Sequence, residues 1–129
     1  MTEPRWLLER VVLAIHSILL DEHGGANGIR DKDMLASALN RAKNKYAYDM
    51  ETTLFDLAAA YSFGVAKNHP FIDGNKRTAF LCGTIFLELN GFLFSATETD
   101  AALTFEKLAA GSINENDLSL WFKLNSQKA

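Results

Sequence analysis

Apolar residues recur along this chain at helical spacing, in segments separated by short polar or glycine-containing breaks. The first segment begins at Pro4 or Arg5 and ends near Glu22. Its predicted inward-facing side chains are Trp6, Leu7, Val11, Leu13, Ala14, Ile18 and Leu19. Residues 24–28, Gly-Gly-Ala-Asn-Gly, follow this helix. Because no strand precedes them and no Gly-Lys-Ser/Thr ends them, we interpret them as a helix stop and loop, not as a phosphate-binding loop.

Three further helices are predicted between residues 31 and 89. The second begins at a cap, Asp31 or Asp33, and ends at about Lys43, with a methionine, leucine and alanine stripe that we interpret as core. The next two are strongly apolar and cover residues 54–65 and 78–89. Two threonines that can cap a helix precede the first of this pair, and an Asn-Gly stop follows the second.

The C-terminal third predicts two shorter helices. Residues 92–94 are apolar but too few for more than an extended link or a minor strand. Residues 97–100 have a capping-box pattern and open a helix that ends at Gly111, and residues 112–115 repeat the pattern before the last helix. The polar tail, residues 125–129, is expected to fray.

These segments predict an all-α fold, a compact bundle of about six helices, in a single domain spanning residues 1–129. The length and a hydrophobic content of 48% suit one domain with a real core and are too small for two. A formal net charge of −3 gives no reason to expect direct binding to nucleic acid.

Cysteine usage and hydropathy predict a cytoplasmic protein with no membrane partner. The single cysteine, Cys82, lies inside an apolar helical segment, so there is no disulfide framework. No apolar run approaches the roughly 20 residues of a spanning helix, and the N-terminus lacks the layout of a signal peptide. His16 and His23 have no ligand-like partners at metal spacing, so we expect structural or solvent-exposed roles for both.

The polar segment between the two central apolar helices is the candidate site. Residues 69–77 read His-Pro-Phe-Ile-Asp-Gly-Asn-Lys-Arg, and a short loop held at both ends by core helices can keep its groups in one geometry. Asp73-Gly74 permits a tight turn with positive φ, which lets the backbone approach a ligand closely. Asn75 is expected to cap the next helix, whose free N–H groups attract anions.

The side chains of this segment suit phosphoryl chemistry. Lys76 and Arg77 place two cations on the first helical turn, where the helix dipole disfavours them unless an anion is bound, and arginine can grip phosphate with two hydrogen bonds. Asp73 is a hard oxygen ligand suited to Mg²⁺, and His69 can take a proton from a hydroxyl. Phe71 is predicted to anchor the loop. Each residue alone has an ordinary explanation in a turn or cap; together they predict a base, a metal ligand and a phosphate cradle.

Residues 69–77 resemble the signature of the Fic/Doc superfamily, which in the Fic branch runs His-Pro-Phe-x-Asp/Glu-Gly-Asn-Gly-Arg. Lys76 stands where that branch has glycine, and Asn-Lys-Arg-Thr-Ala at residues 75–79 is what the death-on-curing (Doc) toxins carry. One further position differs from a Doc sequence, and another differs from many Fic sequences. Gly74 is Fic-like where one Doc has alanine, and Phe80 replaces a second arginine of many Fic enzymes.

The resemblance implies one of two reactions at this site. Fic proteins transfer AMP from ATP to a target hydroxyl, whereas Doc toxins bind the nucleotide turned round and transfer the γ-phosphoryl group to elongation factor Tu. By resemblance, ATP and Mg²⁺ are the expected cofactors, His69 the base and Asp73 the metal ligand. The expected nucleotide-binding residues are Gly74, Asn75, Lys76 and Arg77. The Lys76 side chain fills space that glycine leaves open, which favours the phosphoryl transfer of a toxin over the adenylyl transfer that is the alternative.

Regulation and target binding are also implied only by the resemblance. The inhibitory Ser/Thr-x-x-x-Glu-Gly/Asn helix of many Fic enzymes has no match, because Leu89 follows the pair Thr84 and Glu88. The expected regulator is therefore a separate Phd-like antitoxin whose disordered tail folds into a groove. Residues 41–49, rich in cations and tyrosine, are either a solvated charged face or the flap that aligns the target peptide in Fic relatives. A rival of another class is a non-catalytic helical module that acts by binding a partner.

Overall fold

The computed structural model describes residues 2–129. The described residues form six helices and a two-stranded sheet, which confirms the predicted all-α fold. The elements in chain order are α1 (Glu9–His23), α2 (Lys32–Tyr48), α3 (Leu54–Asn68), α4 (Asn75–Leu89), β1 (Phe92–Phe94), α5 (Glu98–Ala110), α6 (Glu115–Leu124) and β2 (Ser126–Lys128). None of these helices is both long and apolar enough to cross a bilayer.

The helix α3 lies at the centre of the bundle and packs against α2, α4 and α6. Small residues allow this close approach on several sides. A Cβ atom on Gly64 would lie 3.0 Å from the carbonyl oxygen of Ala38 in α2, and one on Gly83 of α4 would lie 2.4 Å from both Ser62 and Phe122. The tight packing of α3 against α4 fixes the two ends of the loop that joins them.

Side-chain caps set the start of α3 and tie it to α6. Thr53 accepts a hydrogen bond from the Asp56 amide, and the Asp56 carboxylate accepts one from the Thr53 amide. The other Asp56 oxygen accepts a hydrogen bond from Ser119 at 2.6 Å. Burial by itself would raise the pKa of Asp56, but the hydrogen bonds from Ser119 and Thr53 outweigh it and hold the pKa below its usual value.

The predicted start of α1 is wrong by four or five residues. The helix begins at Glu9 because hydrogen bonds to distant side chains hold the preceding backbone: the Leu7 amide donates to the Tyr61 hydroxyl, and Arg5 and Asn90 exchange two bonds. The predicted stripe is also partly wrong, since Ile18 is 56% exposed. The buried residues of α1 are Val12, Ile15, His16 and Leu19.

The flap interpretation of residues 41–49 is wrong, because α2 continues through Tyr48 with Asp49 as its C-cap. Its charged face is held by a partner on another element: Arg41 donates to Glu115 of α6, and Lys45 lies 4.0 Å from the same carboxylate. The structure agrees with the solvated-face interpretation, since most of this part of α2 is exposed.

The prediction that the C-terminal tail frays is wrong. Residues 126–128 form β2, which pairs antiparallel with β1, so that Phe92 lies opposite Lys128 and Phe94 opposite Ser126. The Ser95 amide donates to the carbonyl of Asn125 and extends the pairing. The polar sequence of the tail carries no strand pattern, so its order comes from the edge that β1 offers.

Candidate functional site

The candidate site begins at the residue that ends α3. His69 is the C-cap and has φ 46° and ψ 56°, the only positive φ at a non-glycine residue among residues 2–129. This left-handed backbone costs about 1–3 kcal/mol for such a residue and persists only where neighbours hold it. Arg30 does so by donating to two carbonyl oxygens, from Nε to His69 at 2.7 Å and from Nη2 to Asn68 at 2.8 Å. The imidazole itself is exposed and has no hydrogen-bond partner among the described residues.

The segment between α1 and α2 holds the rest of the loop through its backbone. The amides of Arg30 and Asp31 donate to the Pro70 carbonyl at 2.7 and 3.1 Å, and the Ile72 amide donates to the Gly28 carbonyl at 3.1 Å. This segment is a loop, as predicted, but it also supports the motif, which the sequence did not indicate. The available signal was the number of glycines in this segment, because glycine can adopt the positive φ that lets two backbones lie side by side. Gly24, Gly25 and Gly28 all have positive φ.

Asp73 has one carboxylate oxygen held and one available. Its Oδ2 accepts a hydrogen bond from the Ala26 amide at 2.7 Å, and the other oxygen has no partner among residues 2–129. Gly25 makes room for this arrangement, because a Cβ atom there would lie 3.3 Å from the Asp73 Cβ. An exposed carboxylate with a free oxygen is a suitable ligand for Mg²⁺. The described residues contain no cluster of three metal-binding side chains.

His16 contacts the loop from inside. It is 4% exposed, and its Nε2 lies 2.8 Å from the carbonyl oxygen of Asp73. Its ring stacks on the Phe71 ring, with centroids 3.8 Å apart and planes 11° apart. The predicted structural role of His16 is thus correct. Its contact with the motif was missed, because no local pattern links residues 57 positions apart.

Asn75 does not cap α4 as expected. The N-cap is Gly74, with φ 80° and ψ 16°, and Asn75 is the first helical residue. Its amide folds back on Phe71, accepting from the Phe71 amide at 3.0 Å and donating to the Phe71 carbonyl at 2.9 Å. Phe71 is 1% exposed, as its predicted anchoring role requires. The Asn75 side chain therefore fastens the loop, and its backbone N–H remains for a ligand.

The first turn of α4 opens on a groove between α1, α4 and α5 with a volume of about 700 Å³. No side chain caps this turn, and the N–H groups of Asn75, Lys76 and Arg77 have no hydrogen-bond partner among residues 2–129. Lys76 and Arg77 both line the groove. Lys76 Nζ lies 2.5 Å from Glu106 on α5, whereas Arg77 has no carboxylate partner among the described residues. The rest of the groove lining is largely apolar and includes Leu19, Phe80, Leu81, Ala101, Ala102 and Phe105.

The Fic/DOC family model matches residues 6–87. The chain belongs to this family. It is 34% identical over 80 residues to "Protein kinase doc" of Escherichia phage P1, a match that covers 62% of this chain and 64% of the phage protein. It is 39% identical over 74 residues to "Toxin Doc" of Mycolicibacterium smegmatis (strain ATCC 700084 / mc(2)155), and this match covers 57% of each chain. Each match thus spans less than two thirds of the relative.

Within this Fic/DOC chain, the structure brings some of the predicted site residues together and separates others. Gly74, Asn75, Lys76 and Arg77 meet at one end of the groove. His69 and Asp73 are not part of the groove wall, and both are exposed residues of the same loop. The loop thus presents its histidine and its carboxylate to solvent next to the helix start that carries the cations.

Proposed function

We propose that this Fic/DOC protein is the toxin of a toxin–antitoxin pair and transfers the γ-phosphoryl group of ATP to a hydroxyl side chain of a translation factor, with elongation factor Tu as the expected target. The names of the two relatives, a protein kinase and a toxin, support this class. The proposal is carried by one observation: a solvent-facing histidine, a carboxylate with a free oxygen and an uncapped helix start with two cations lie on one loop of residues 69–77.

The start of α4 would hold the triphosphate. Its unpaired N–H groups and the positive end of the helix dipole attract anions, and the guanidinium of Arg77 can donate two parallel hydrogen bonds to phosphate oxygens. Lys76 would add a point charge, although phosphate must compete for it with Glu106. Asp73 would hold Mg²⁺ through its free oxygen, and the bound ion would supply charge neutralisation at the phosphates.

His69 would act as the general base. It accepts the proton of the target hydroxyl, the oxygen attacks the γ-phosphorus, the bond to the β-phosphate oxygen breaks and ADP leaves. The held backbone of His69 supports this role, because a base contributes most when its position is fixed before the substrate arrives. A strained residue fastened by a neighbouring arginine is typical of a functional position.

The apolar wall of the groove supports the antitoxin part of the proposal. A disordered tail can fold into such a groove and bury apolar side chains against Phe80 and Phe105. The tail would lie beside Lys76 and Arg77, where it would obstruct the phosphates. A separate Phd-like chain is the expected regulator, and the cytoplasm is the expected compartment.

The deciding experiment supplies ATP labelled either at the α or at the γ phosphate to the purified chain and elongation factor Tu. We expect label on the target only from the γ position, and its loss in His69→Ala. Lys123→Ala, an exposed change on α6, is the control and should retain transfer. Label from the α position would establish the adenylyltransferase instead. If neither label moves and His69→Ala still arrests growth, the chain acts as a non-catalytic binding module.

A further inference from the structure

His16 is a buried, titratable side chain for which the proposed reaction has no role. It comes from the middle of α1, yet its two recorded contacts are both with residues of the motif loop. The carbonyl oxygen of Asp73 can only accept, so the His16 Nε2 carries the hydrogen and donates it. The hydrogen bond therefore fixes the tautomer of this imidazole.

We propose that His16 is a positioning residue for the metal ligand Asp73. Residue 73 is held at two points. His16 holds its carbonyl at 2.8 Å, and the Ala26 amide holds one carboxylate oxygen at 2.7 Å. Together the two bonds fix the backbone and the side chain of Asp73, so that the free carboxylate oxygen points in one fixed direction. This inference rests on the proposed function, in which the fixed carboxylate oxygen of Asp73 binds Mg²⁺.

The stacking contact places the imidazole against the motif loop. The His16 and Phe71 rings lie nearly parallel at 3.8 Å, and Phe71 is itself fastened to Asn75 at the start of α4. The backbone of Gly74 passes beside the same imidazole, since a Cβ atom there would lie 3.5 Å from His16 Cδ2. One imidazole thus sets the position of Asp73 relative to the helix start that would bind the phosphates. Such supporting bonds behind a metal ligand change metal affinity by about 10–100-fold.

Two substitutions separate the hydrogen bond from the ring. His16→Phe keeps a planar ring that can stack on Phe71 but has no donor for the Asp73 carbonyl. His16→Gln loses the ring but keeps an N–H donor at similar reach, and glutamine is a good helix former. Ser17→Ala, at an exposed position of the same helix, is the matched control. If the bond to Asp73 is what matters, glutamine restores what phenylalanine loses.

The first measurement is calorimetric binding of ATP with and without Mg²⁺. We expect His16→Phe to weaken Mg²⁺-dependent binding about tenfold, the lower end of the range for supporting residues, and to leave Mg²⁺-free binding unchanged. His16→Gln and Ser17→Ala should bind within about twofold of the parent chain, a difference of ~0.4 kcal/mol. A role in folding alone would lower both kinds of binding in His16→Phe, and that result overturns the inference, as does unchanged Mg²⁺-dependent binding.

The second measurement needs no ligand. Hydrogen exchange of the Ala26 amide reports how well the Asp73 carboxylate is held, because that amide donates to it. We expect faster exchange at Ala26 in His16→Phe, restored in His16→Gln, with the amides of α3 unchanged. Unchanged exchange at Ala26 contradicts the positioning role. If the parent chain binds ATP no better with Mg²⁺, the proposed function fails and the inference falls with it. If the parent shows Mg²⁺ dependence that His16→Phe retains, the inference alone fails.

Discussion

Replacing Asn75 tests whether its side chain fastens the loop or contacts phosphate. The main-chain N–H and C=O of Phe71 are both bonded to the Asn75 amide, and neither has another partner among residues 2–129. Asn75→Ala removes both bonds. Asn75→Asp has nearly the same shape and keeps the acceptor for the Phe71 amide, but it has no donor for the Phe71 carbonyl and faces it with a carboxylate.

The magnitudes follow from those two bonds. An unpaired buried backbone group costs about 1–3 kcal/mol, and the two groups left without partners here are only partly buried, so each should cost the lower part of that range. Asn75→Ala should therefore lower the free energy of unfolding by about 2–4 kcal/mol. Asn75→Asp loses one bond and gains about 0.3–1 kcal/mol from an acidic group at a helix start. Its expected net loss is about 1 kcal/mol. For a chain of this length, Asn75→Ala corresponds to a fall in Tm of roughly 10 °C.

Urea unfolding followed by the fluorescence of Trp6 and Trp121 measures these differences, since the two tryptophans lie in the N-terminal segment and in α6. Asn44→Ala is the matched control, because Asn44 is an exposed residue of α2 whose side chain makes no recorded hydrogen bond. It should be neutral or slightly stabilising, as alanine is the better helix former.

The expected order of stability is parent, then Asn75→Asp, then Asn75→Ala. The fastening role is refuted if Asn75→Ala unfolds within about 0.5 kcal/mol of the parent, which is the range of an ordinary surface change. If Asn75→Asp in addition keeps full stability but loses ATP binding, the side chain contacts phosphate, as the family resemblance implied, and the hydrogen bonds to Phe71 are unimportant.

Three further outcomes are expected. Gly83→Ala should destabilise the protein by about 2 kcal/mol in urea unfolding despite the better helix propensity of alanine, since the new Cβ meets Phe122 at 2.4 Å; a neutral result would contradict this packing. The pKa of Asp56 is lowered in the folded protein, so its carboxylate stabilises the fold at pH values above its unfolded pKa of 3.8, and this stabilisation is lost as the pH falls through the folded pKa. Ser119→Ala removes one of the hydrogen bonds that lower the pKa, so the variant should lose less stability in an acid titration. Burial raises the pKa of Cys82 to about 12 from 9.0, so stability should decline as the pH rises above 9, and thiol labelling should occur only as fast as the protein unfolds.

Local signals in the sequence predicted most of the helices. The threonines before α3, the cap at Asp31 and the Asn-Gly stop after α4 stand where the sequence placed them, because a cap involves residues only two to four positions apart. The last helix shows the limit of this approach. Its capping box joins Asn114 and Asp117, two positions beyond the predicted pattern, since overlapping serine, asparagine and acidic residues offer more than one local solution.

The groups of the candidate site could be predicted for a related reason. Its chemical groups are contiguous, from His69 to Arg77, so composition and order alone predicted a base, a carboxylate and cations at a helix start. The role of Asn75 was not readable, because asparagine is equally suited to capping and to folding back on a loop. The turn at Gly74 decided between the two.

The sequence by itself determined the helical fold and the contents of the loop, because periodicity, caps and motif residues act between neighbours along the chain. Only the tertiary structure decided what holds that loop. The bonds from His16, Ala26 and Arg30 to residues 68–73, and the pairing of the polar tail with β1, join segments that nothing in the local pattern relates. They form because backbone groups buried or aligned by packing must find partners, and folding brings those partners from far along the chain.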